Sequence, residues 1–488
     1  MLASDCLAAA AGLVHCVRAG GSGAVFGAMT TGKMLFLLDA AAMLIIWPIL
    51  LKIGCWGNEC TRFTPDGAAV ILYPVANLIS FYALGLYRRD AILQTRESLG
   101  RVPLAVSLGA VATAVLLVML GLWIGSPANR VRLFSGAVIG FCMSGVTARL
   151  ILAVLKTRGS FQRRLLIVGA GNCAWDLLCM LRKEGQHPQY RVTFMHEPAY
   201  GAIDPRLLEG LGDGNDVIEG EDVLSAAKSC NPDEIVVAPD ERRGMPLDRL
   251  LSCKREGYPV LEYLTFIEHE IRRVDIKRME VGWLLYSGGF YFGTIDNALK
   301  RALDVSVSLL LLVLFSPFLI GAAIAIKLDD GGPVLYSQDR ITRNEKTFRI
   351  YKLRTMRTDA EKAGAVWAAE HDPRVTRVGH FLRRTRIDEM PQLINVLRGD
   401  MSLVGPRPER PGFSEKLAEQ LPLYNERHMV KAGLTGWAQI NYPYGASLDD
   451  ARSKLSYDLY YVKNFSILFD LLILLQTLRV VLWPSGAR

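Results

Sequence analysis

Asp388 and Glu389 stand side by side in the run Arg383-Arg384-Thr385-Arg386-Ile387-Asp388-Glu389-Met390-Pro391-Gln392-Leu393, and Gly405-Pro406-Arg407-Pro408-Glu409 follows shortly after. Two carboxylates among guanidinium groups suit phosphate chemistry. An ionised carboxylate is a nucleophile toward phosphorus, and its neighbour can hold a hard divalent cation that neutralises phosphate oxygens. Pro391 lacks an N–H and fixes its own φ, so it fits the first turn of a helix from about residue 391 to 396. The pair then lies just before a helix start, where free N–H groups and the positive end of the dipole favour anions. Arg383, Arg384 and Arg386 add fixed charge that grips phosphate bidentately, and such a field is expected to keep a carboxylate ionised at neutral pH. An Asp-Glu pair flanked by arginines is ordinarily a solvated, salt-bridged surface. Here prolines on both sides of Arg407 leave it little backbone freedom, which argues for a built site.

The elements that must position these residues are read from composition and pattern. A chain of 488 residues with 51% hydrophobic content and a mean hydropathy of +0.22 exceeds one ordinary domain and points to membrane segments. Its net charge of +8 suits an anionic leaflet or phosphorylated substrates; no DNA or RNA motif accompanies it, so no nucleic-acid partner is expected. Residues 1–32 read as an N-terminal extension without the basic start of a signal peptide. Residues 33–156 read as a bundle of four transmembrane helices, at about 34–51, 67–87, 102–125 and 133–155. Asp39 and Arg149 interrupt the first and last, and are expected to pair or to face a helix interface. Arg88, Arg89, Arg96 and Arg101 fill the middle loop, and Lys156, Arg158, Arg163 and Arg164 follow the fourth span. The basic residues therefore place both ends of the bundle in the cytoplasm. The nine cysteines show no metal pattern and are expected to be reduced; Cys55 and Cys60, on an outer loop, leave a disulfide open.

Residues 163–275 alternate short apolar runs with helical patterns, an α/β Rossmann-like domain. Leu165–Val168, Tyr190–Met195 and Glu234–Ala238 read as strands. Gly169-Ala170-Gly171-Asn172-Cys173-Ala174 opens a helix where a dinucleotide can be cradled, with Glu197 near the ribose position, although the same glycines serve tight turning and close packing. After a linker at 276–296, residues 297–488 read as a mixed α/β catalytic domain. Val305–Ile326 is long and apolar enough to span, but Ser316-Pro317 sits at its centre and both ends are basic, with Lys300 and Arg301 before and Lys327, Arg340 and Arg343 after. A re-entrant helix at 303–327, broken at Ser316 and Pro317, keeps both ends on one side. Phe465–Trp483 reads either as a second membrane-associated helix or as a buried core helix.

Tyr351-Lys352-Leu353-Arg354-Thr355-Met356, the Asp388-Glu389 segment, Gly399 to Glu409 and Gly433-Leu434-Thr435-Gly436-Trp437-Ala438-Gln439 together resemble the bacterial polyprenyl-phosphate glycosyl-1-phosphate transferases, in their long form. The resemblance implies that Asp388 is a nucleophile forming a phosphosugar-enzyme intermediate and that Glu389 binds Mg2+. Arg354, Arg383, Arg407 and Lys431 would be the basic groups around the nucleotide diphosphate. It further implies a UDP-sugar donor, a polyprenyl (undecaprenyl) phosphate acceptor, release of UMP, a homodimer, and a place in the bacterial inner membrane with the catalytic domain facing the cytoplasm. Two departures stand out. The family often has Arg-Pro-Gly where this chain has Lys431-Ala432-Gly433, and Gly is common where Thr342 stands. The front half is shared with some nucleotide-sugar dehydratases, so a membrane-anchored NAD-dependent dehydratase or epimerase is the alternative, although no Tyr-x-x-x-Lys occurs in the chain. A non-catalytic scaffold for polysaccharide assembly is the other. Residues 363–372, with Trp367, and Asn441–Leu448 are candidate recognition loops for the sugar.

Overall fold

The structure, a computed structural model, describes residues 31–54, 67–87, 95–119, 127–157, 163–183, 190–198, 201–210, 216–219, 222–241, 245, 247–279, 289–290, 293–358, 360, 372–443, 445 and 447–482. Cys55, Cys60, Arg88, Arg89 and Trp367 lie outside these. The chain divides into two compact units, Met1–Tyr263 and Leu264–Arg488.

The first unit opens with the apolar helices α1 (Thr31–Gly54), α2 (Gly67–Ala83), α3 (Thr95–Met119) and α4 (Pro127–Thr157). Three of them contain stretches long and apolar enough to cross a membrane; the apolar part of α2, Ile71–Ala83, is shorter. The expected second span to residue 87 stops early because Gly85 takes φ +71° and Leu86 donates back to the Phe81 carbonyl, a left-handed helix stop. Trp47 stacks on Tyr73 with ring centroids 4.4 Å apart, and Phe81, Val102 and Phe141 fill the same core. A Cβ on Gly109 would stand 2.6 Å from Asn77 Oδ1, so glycine is what lets α3 approach α2. Asp39 and Arg149 do pair, at 3.2 Å and almost fully buried, and Arg149 also donates to the Gly145 carbonyl. Removing either partner would strand a buried charge at a cost of roughly 3–5 kcal/mol. Leu44, Ile45, Val111, Val118, Ile139 and Met143 are exposed on the outside of the bundle, where hydrocarbon rather than water would suit them.

The α/β part follows as β1 (Arg163–Val168), α5 (Asn172–Lys183), β2 (Tyr190–His196), α6 (Pro205–Gly210), β3 (Asp216–Glu219), α7 (Val223–Cys230), β4 (Glu234–Val237), α8 (Leu247–Arg255) and β5 (Val260–Glu262). All pairs are parallel, in the order β3-β2-β1-β4-β5. The expected strands appear because their apolar runs are buried on both faces. Gly169, at φ +115°, leads into α5 as the glycine pattern requires. What occupies the start of α5, however, is the chain's own carboxylate. Asp240 accepts from the Asn172 and Cys173 amides, each at 2.7 Å, and a Cβ on Gly171 would stand 2.1 Å from Asp240 Oδ2. The anion seat that a dinucleotide phosphate would need is thus filled from within.

The second unit begins with α9 (Tyr263–Ile271). The next residues pack within this unit. Arg272 accepts from Trp437 Nε1 at 2.8 Å, and Val274 and Ile276 are buried with Leu421, Tyr424, Leu455 and Leu459. Helix α10 (Thr294–Asp330) extends beyond the expected 303–327 and contains Pro317. Ser316 Oγ donates to the Val313 carbonyl at 2.8 Å, the acceptor that an N–H at position 317 would otherwise have used. Leu309, Leu310, Val313, Leu314, Phe318, Ile320 and Ile324 are exposed along α10.

Both ends of α10 are fastened to one core. At its start, Lys300 Nζ reaches Asp470 Oδ2 at 2.5 Å and the Val404 carbonyl at 3.0 Å, while Tyr461 OH donates to Asp470 Oδ1 at 2.7 Å. Arg301 caps the Val396 and Leu397 carbonyls, and Asp304 accepts from Ser402 Oγ and Leu403 N. At its other end Ala322 and Ile326 pack on Leu353 and Leu382. The core comprises an antiparallel hairpin, β6 (Leu335–Ile341) and β7 (Thr347–Leu353), then α11 (Arg377–Thr385), α12 (Gln392–Arg398) and β8 (Ser402–Val404). After α13 (Pro411–Gln420), β9 (Gly433–Thr435) pairs in parallel with β8. Helices α14 (Trp437–Asn441), α15 (Leu448–Lys463) and α16 (Ile467–Leu482) complete it. Helix α16 divides its faces: Asp470 and Ile473 are buried, Leu468 and Leu478 exposed.

Replacing Asp240 by Ala would free two helix-end amides and loosen the α/β part by about 1–2 kcal/mol. Hydrogen exchange across residues 169–183 should accelerate accordingly, and unchanged exchange would show that the carboxylate does not hold this loop.

Candidate active site

The carboxylate pair sits in a single 3-10 turn, Ile387–Glu389, between α11 and α12. Arg386 makes this possible by adopting φ +60°, a conformation that costs a side-chain-bearing residue about 1 kcal/mol and ends α11 abruptly. Contrary to the expectation of free N–H groups here, the second and third amides of α12 are engaged: Leu393 and Ile394 donate back to the Met390 and Pro391 carbonyls. Pro391 is the residue before the helix, which continues to Arg398. Side-chain cations, not the seven-residue helix, therefore govern the pair.

Glu389 Oε1 accepts from Lys352 Nζ at 3.0 Å and from Arg407 at 3.1 Å, while its Oε2 lies 3.9 Å from Arg386. Burial works against its ionisation, but Lys352, Arg407 and Arg386 outweigh burial and hold the carboxyl well below the usual carboxylate range. Asp388 is buried, and burial followed by the charge of Glu389 pushes it up to about 6 against the opposing pull of Lys352, Arg383 and Arg386. It is still largely ionised at neutral pH, with a smaller margin than the arginine-rich sequence implies. Burial also lowers Lys352, which Glu389 counteracts.

The turn carrying Arg407 is rigid for reasons beyond its prolines. Arg427, buried, donates to the Arg407 carbonyl at 2.9 Å, pairs with Asp458 at 2.8 Å and reaches Tyr424 OH at 2.7 Å. Arg340 donates to the Pro408 carbonyl, and Ile341 N to that of Glu409. Arg383 Nε donates to Thr355 Oγ1 at 2.9 Å, and the charge of Asp388 acts on it. Arg354 is employed differently: its buried fork grips both oxygens of Asp330 and the Pro333 carbonyl, locking the end of α10 to the end of β7. Lys431 lies apart as well, beside Gly399 and Arg301 at the far end of α12. Arg479 donates to the Ile440 carbonyl. Sequence reasoning thus missed Lys352, Arg427 and Asp458. Lys352 was within reach of it, two positions before Arg354 and on the same face of an extended strand.

Among the described residues no three His, Cys, Asp or Glu side chains converge as a metal cage. The donors present fit Mg2+ in another way. Glu389 is firmly ionised and offers one oxygen with no hydrogen-bond donor, and Mg2+ commonly takes one or two carboxylates and completes its shell with substrate phosphates and water. Lys352, Arg386 and Arg407 repel a bare dication, so the residues suit a cation bound jointly with a diphosphate.

Residues 295–484 match the family described as bacterial sugar transferase. The UDP-N-acetylgalactosamine-undecaprenyl-phosphate N-acetylgalactosaminephosphotransferase of Aeromonas hydrophila is 41% identical over 242 residues, 49% of this chain and 56% of that protein. An exopolysaccharide production protein of Rhizobium leguminosarum bv. phaseoli is 46% identical over 189 residues, 38% of this chain and 94% of its own length. A UDP-glucose:undecaprenyl-phosphate glucose-1-phosphate transferase of Klebsiella pneumoniae is 31% identical over 345 residues, 69% of this chain and 72% of that protein. The chain belongs to the bacterial sugar transferases.

The two departures from the family pattern touch each other. Thr342 Oγ1 accepts from the buried Ala432 N at 3.1 Å and donates to the Asp400 carbonyl at 2.8 Å. A proline at 432 has no such N–H, and a glycine at 342 no such hydroxyl, so each departure supplies the other's partner. Thr342→Val alone should therefore cost about 1–3 kcal/mol by orphaning a buried amide. The Thr342→Gly, Ala432→Pro double change should lose less than the two single changes together, by about 1 kcal/mol in a denaturation cycle. Strict additivity would mean the contact carries no coupling.

Proposed function

We propose that this protein transfers a sugar-1-phosphate from a UDP-sugar to polyprenyl (undecaprenyl) phosphate at a membrane surface, through a covalent intermediate on Asp388. The observation that carries this reading is a buried aspartate beside a glutamate held ionised by Lys352, Arg386 and Arg407. A carboxylate oxygen of Asp388 attacks the β-phosphorus, the bond from that phosphorus to the bridging oxygen breaks, and UMP leaves with the electron pair. A phosphate oxygen of the acceptor then attacks the same phosphorus, Asp388 departs as carboxylate, and a polyprenyl diphosphate sugar is formed. Arg383, Arg386 and Arg407 offset the negative charge that gathers on the phosphoryl oxygens, and Lys352 keeps Glu389 oriented and ionised. Glu389 would hold Mg2+, which when bound adds charge neutralisation at the same oxygens.

Location follows from α10. Its first turns and its last turns both dock on the same catalytic core, which supports a re-entrant helix bent at Pro317 with both ends on the cytoplasmic side. The α/β part is Rossmann-like in strand order, and its plugged helix start favours a structural role over a dinucleotide-dependent dehydratase. The Aeromonas hydrophila relative is named for an N-acetylgalactosamine donor and the Klebsiella pneumoniae one for a glucose donor, which leaves the sugar open. A homodimer in the bacterial inner membrane completes the reading.

Asp388→Asn should abolish transfer and the mass increment of a phosphosugar adduct on the intact protein, while melting unchanged; an active Asn variant sinks the nucleophile assignment. Lys352→Gln should lower kcat by about 100-fold or more, since Glu389 loses one of the two cations that hydrogen-bond it. Mg2+ titrated calorimetrically into the protein alone should show weak or no saturable binding, and binding at least about tenfold tighter with UDP present. Equal affinity in the two titrations would refute joint binding of metal and diphosphate.

A further inference from the structure

Arg301, Arg343 and Lys431 gather at the end of α12 remote from Asp388. Arg301 Cζ and Lys431 Nζ stand 3.8 Å and 3.6 Å from where a Cβ on Gly399 would be, so the absent side chain leaves a floor between two cationic heads. Arg343 comes from the β6–β7 turn, which Thr342 ties to Asp400 next to Gly399. Arg301 uses two donors on the Val396 and Leu397 carbonyls. The side chains of Arg343 and Lys431 form no hydrogen bond or ion pair among the described residues. Burial lowers Lys431, and the like charges of Arg301 and Arg343 lower it further; Asp304 and Asp400 oppose this. Asp304 Oδ1 is already engaged by Ser402 and Leu403. Three like charges with so few partners are unfavourable in the empty protein, and an anion would relieve them.

The surroundings decide which anion. Val305 and Leu309 are exposed on α10 in the two turns after Arg301, within about 80° of it around the helix. A soluble phosphate gains nothing from that apolar face, whereas a lipid presents a phosphate and hydrocarbon together. We propose that Arg301, Arg343 and Lys431 bind the phosphate of a membrane phospholipid whose acyl chains lie against Val305 and Leu309. This site is independent of the transfer chemistry, since the length of α12, about 10 Å, separates it from Asp388.

The full chain is reconstituted in phosphatidylcholine nanodiscs containing a minor fraction of phosphatidylglycerol, and phosphatidylglycerol retained by the released protein is counted by native mass spectrometry. Wild type retains it, and an Arg343→Gln, Lys431→Gln double variant retains about tenfold less. Arg349→Gln, which removes an exposed charge paired with Asp339 at 3.7 Å, retains as much as wild type and controls for charge alone. Circular dichroism melts establish that the variants are folded. Equal retention by all three proteins overturns the site. Displacement of the lipid from wild type by millimolar inorganic phosphate overturns its lipid character and makes it a free-anion site.

Discussion

Two adjacent carboxylates withdrawn from water repel each other and lose hydration, and the active centre exists only because cations compensate both effects. The compensation is uneven. Glu389 receives Lys352 and Arg407 directly, whereas Asp388 has cations near it but carries the larger net burden of burial and of its neighbour's charge. In the proposed reaction the first is the anion that would face a metal, and the second is the more basic carboxylate that would attack phosphorus. Environment alone separates the tasks of two chemically similar groups.

Holding those cations in place occupies much of the second unit. Lys352 stands on β7, Arg386 in a left-handed turn, and Arg407 in a proline-flanked turn whose carbonyl is gripped by Arg427. Arg427 is in turn fixed by Asp458 on α15. The geometry at Glu389 therefore rests on a buried ion pair that never touches it, which explains why a site made of long flexible side chains can be preorganised.

Much of this was legible in the sequence, because the relevant signals are local. Apolar runs gave the four bundle helices and three strands of the parallel sheet, β1, β2 and β4, and residue chemistry singled out Asp388, Glu389 and Arg407. Contacts between distant segments were not legible. Asp240 reaches the glycine loop from 68 residues downstream, and Asp330 claims the fork of Arg354 from 24 residues upstream. Lys431 resembles Arg407 in charge, yet it faces Gly399 and Arg301 at the other end of α12. Local pattern cannot reveal which of several cations shares a cluster, since the chain path between them decides it. The length of α2 failed for a smaller reason: hydropathy does not register that Gly85 ends a helix.

Lys300 and Asp470 lie on the two helices of this unit with exposed apolar faces, and they meet with Tyr461 and the Val404 carbonyl in one buried knot. The spacing of those helices from the catalytic turn is consequently a property of the folded protein and not of the surrounding lipid. In the proposed membrane arrangement a thinner or thicker bilayer would deform around the pair, while Asp388 would keep its height above the hydrocarbon boundary.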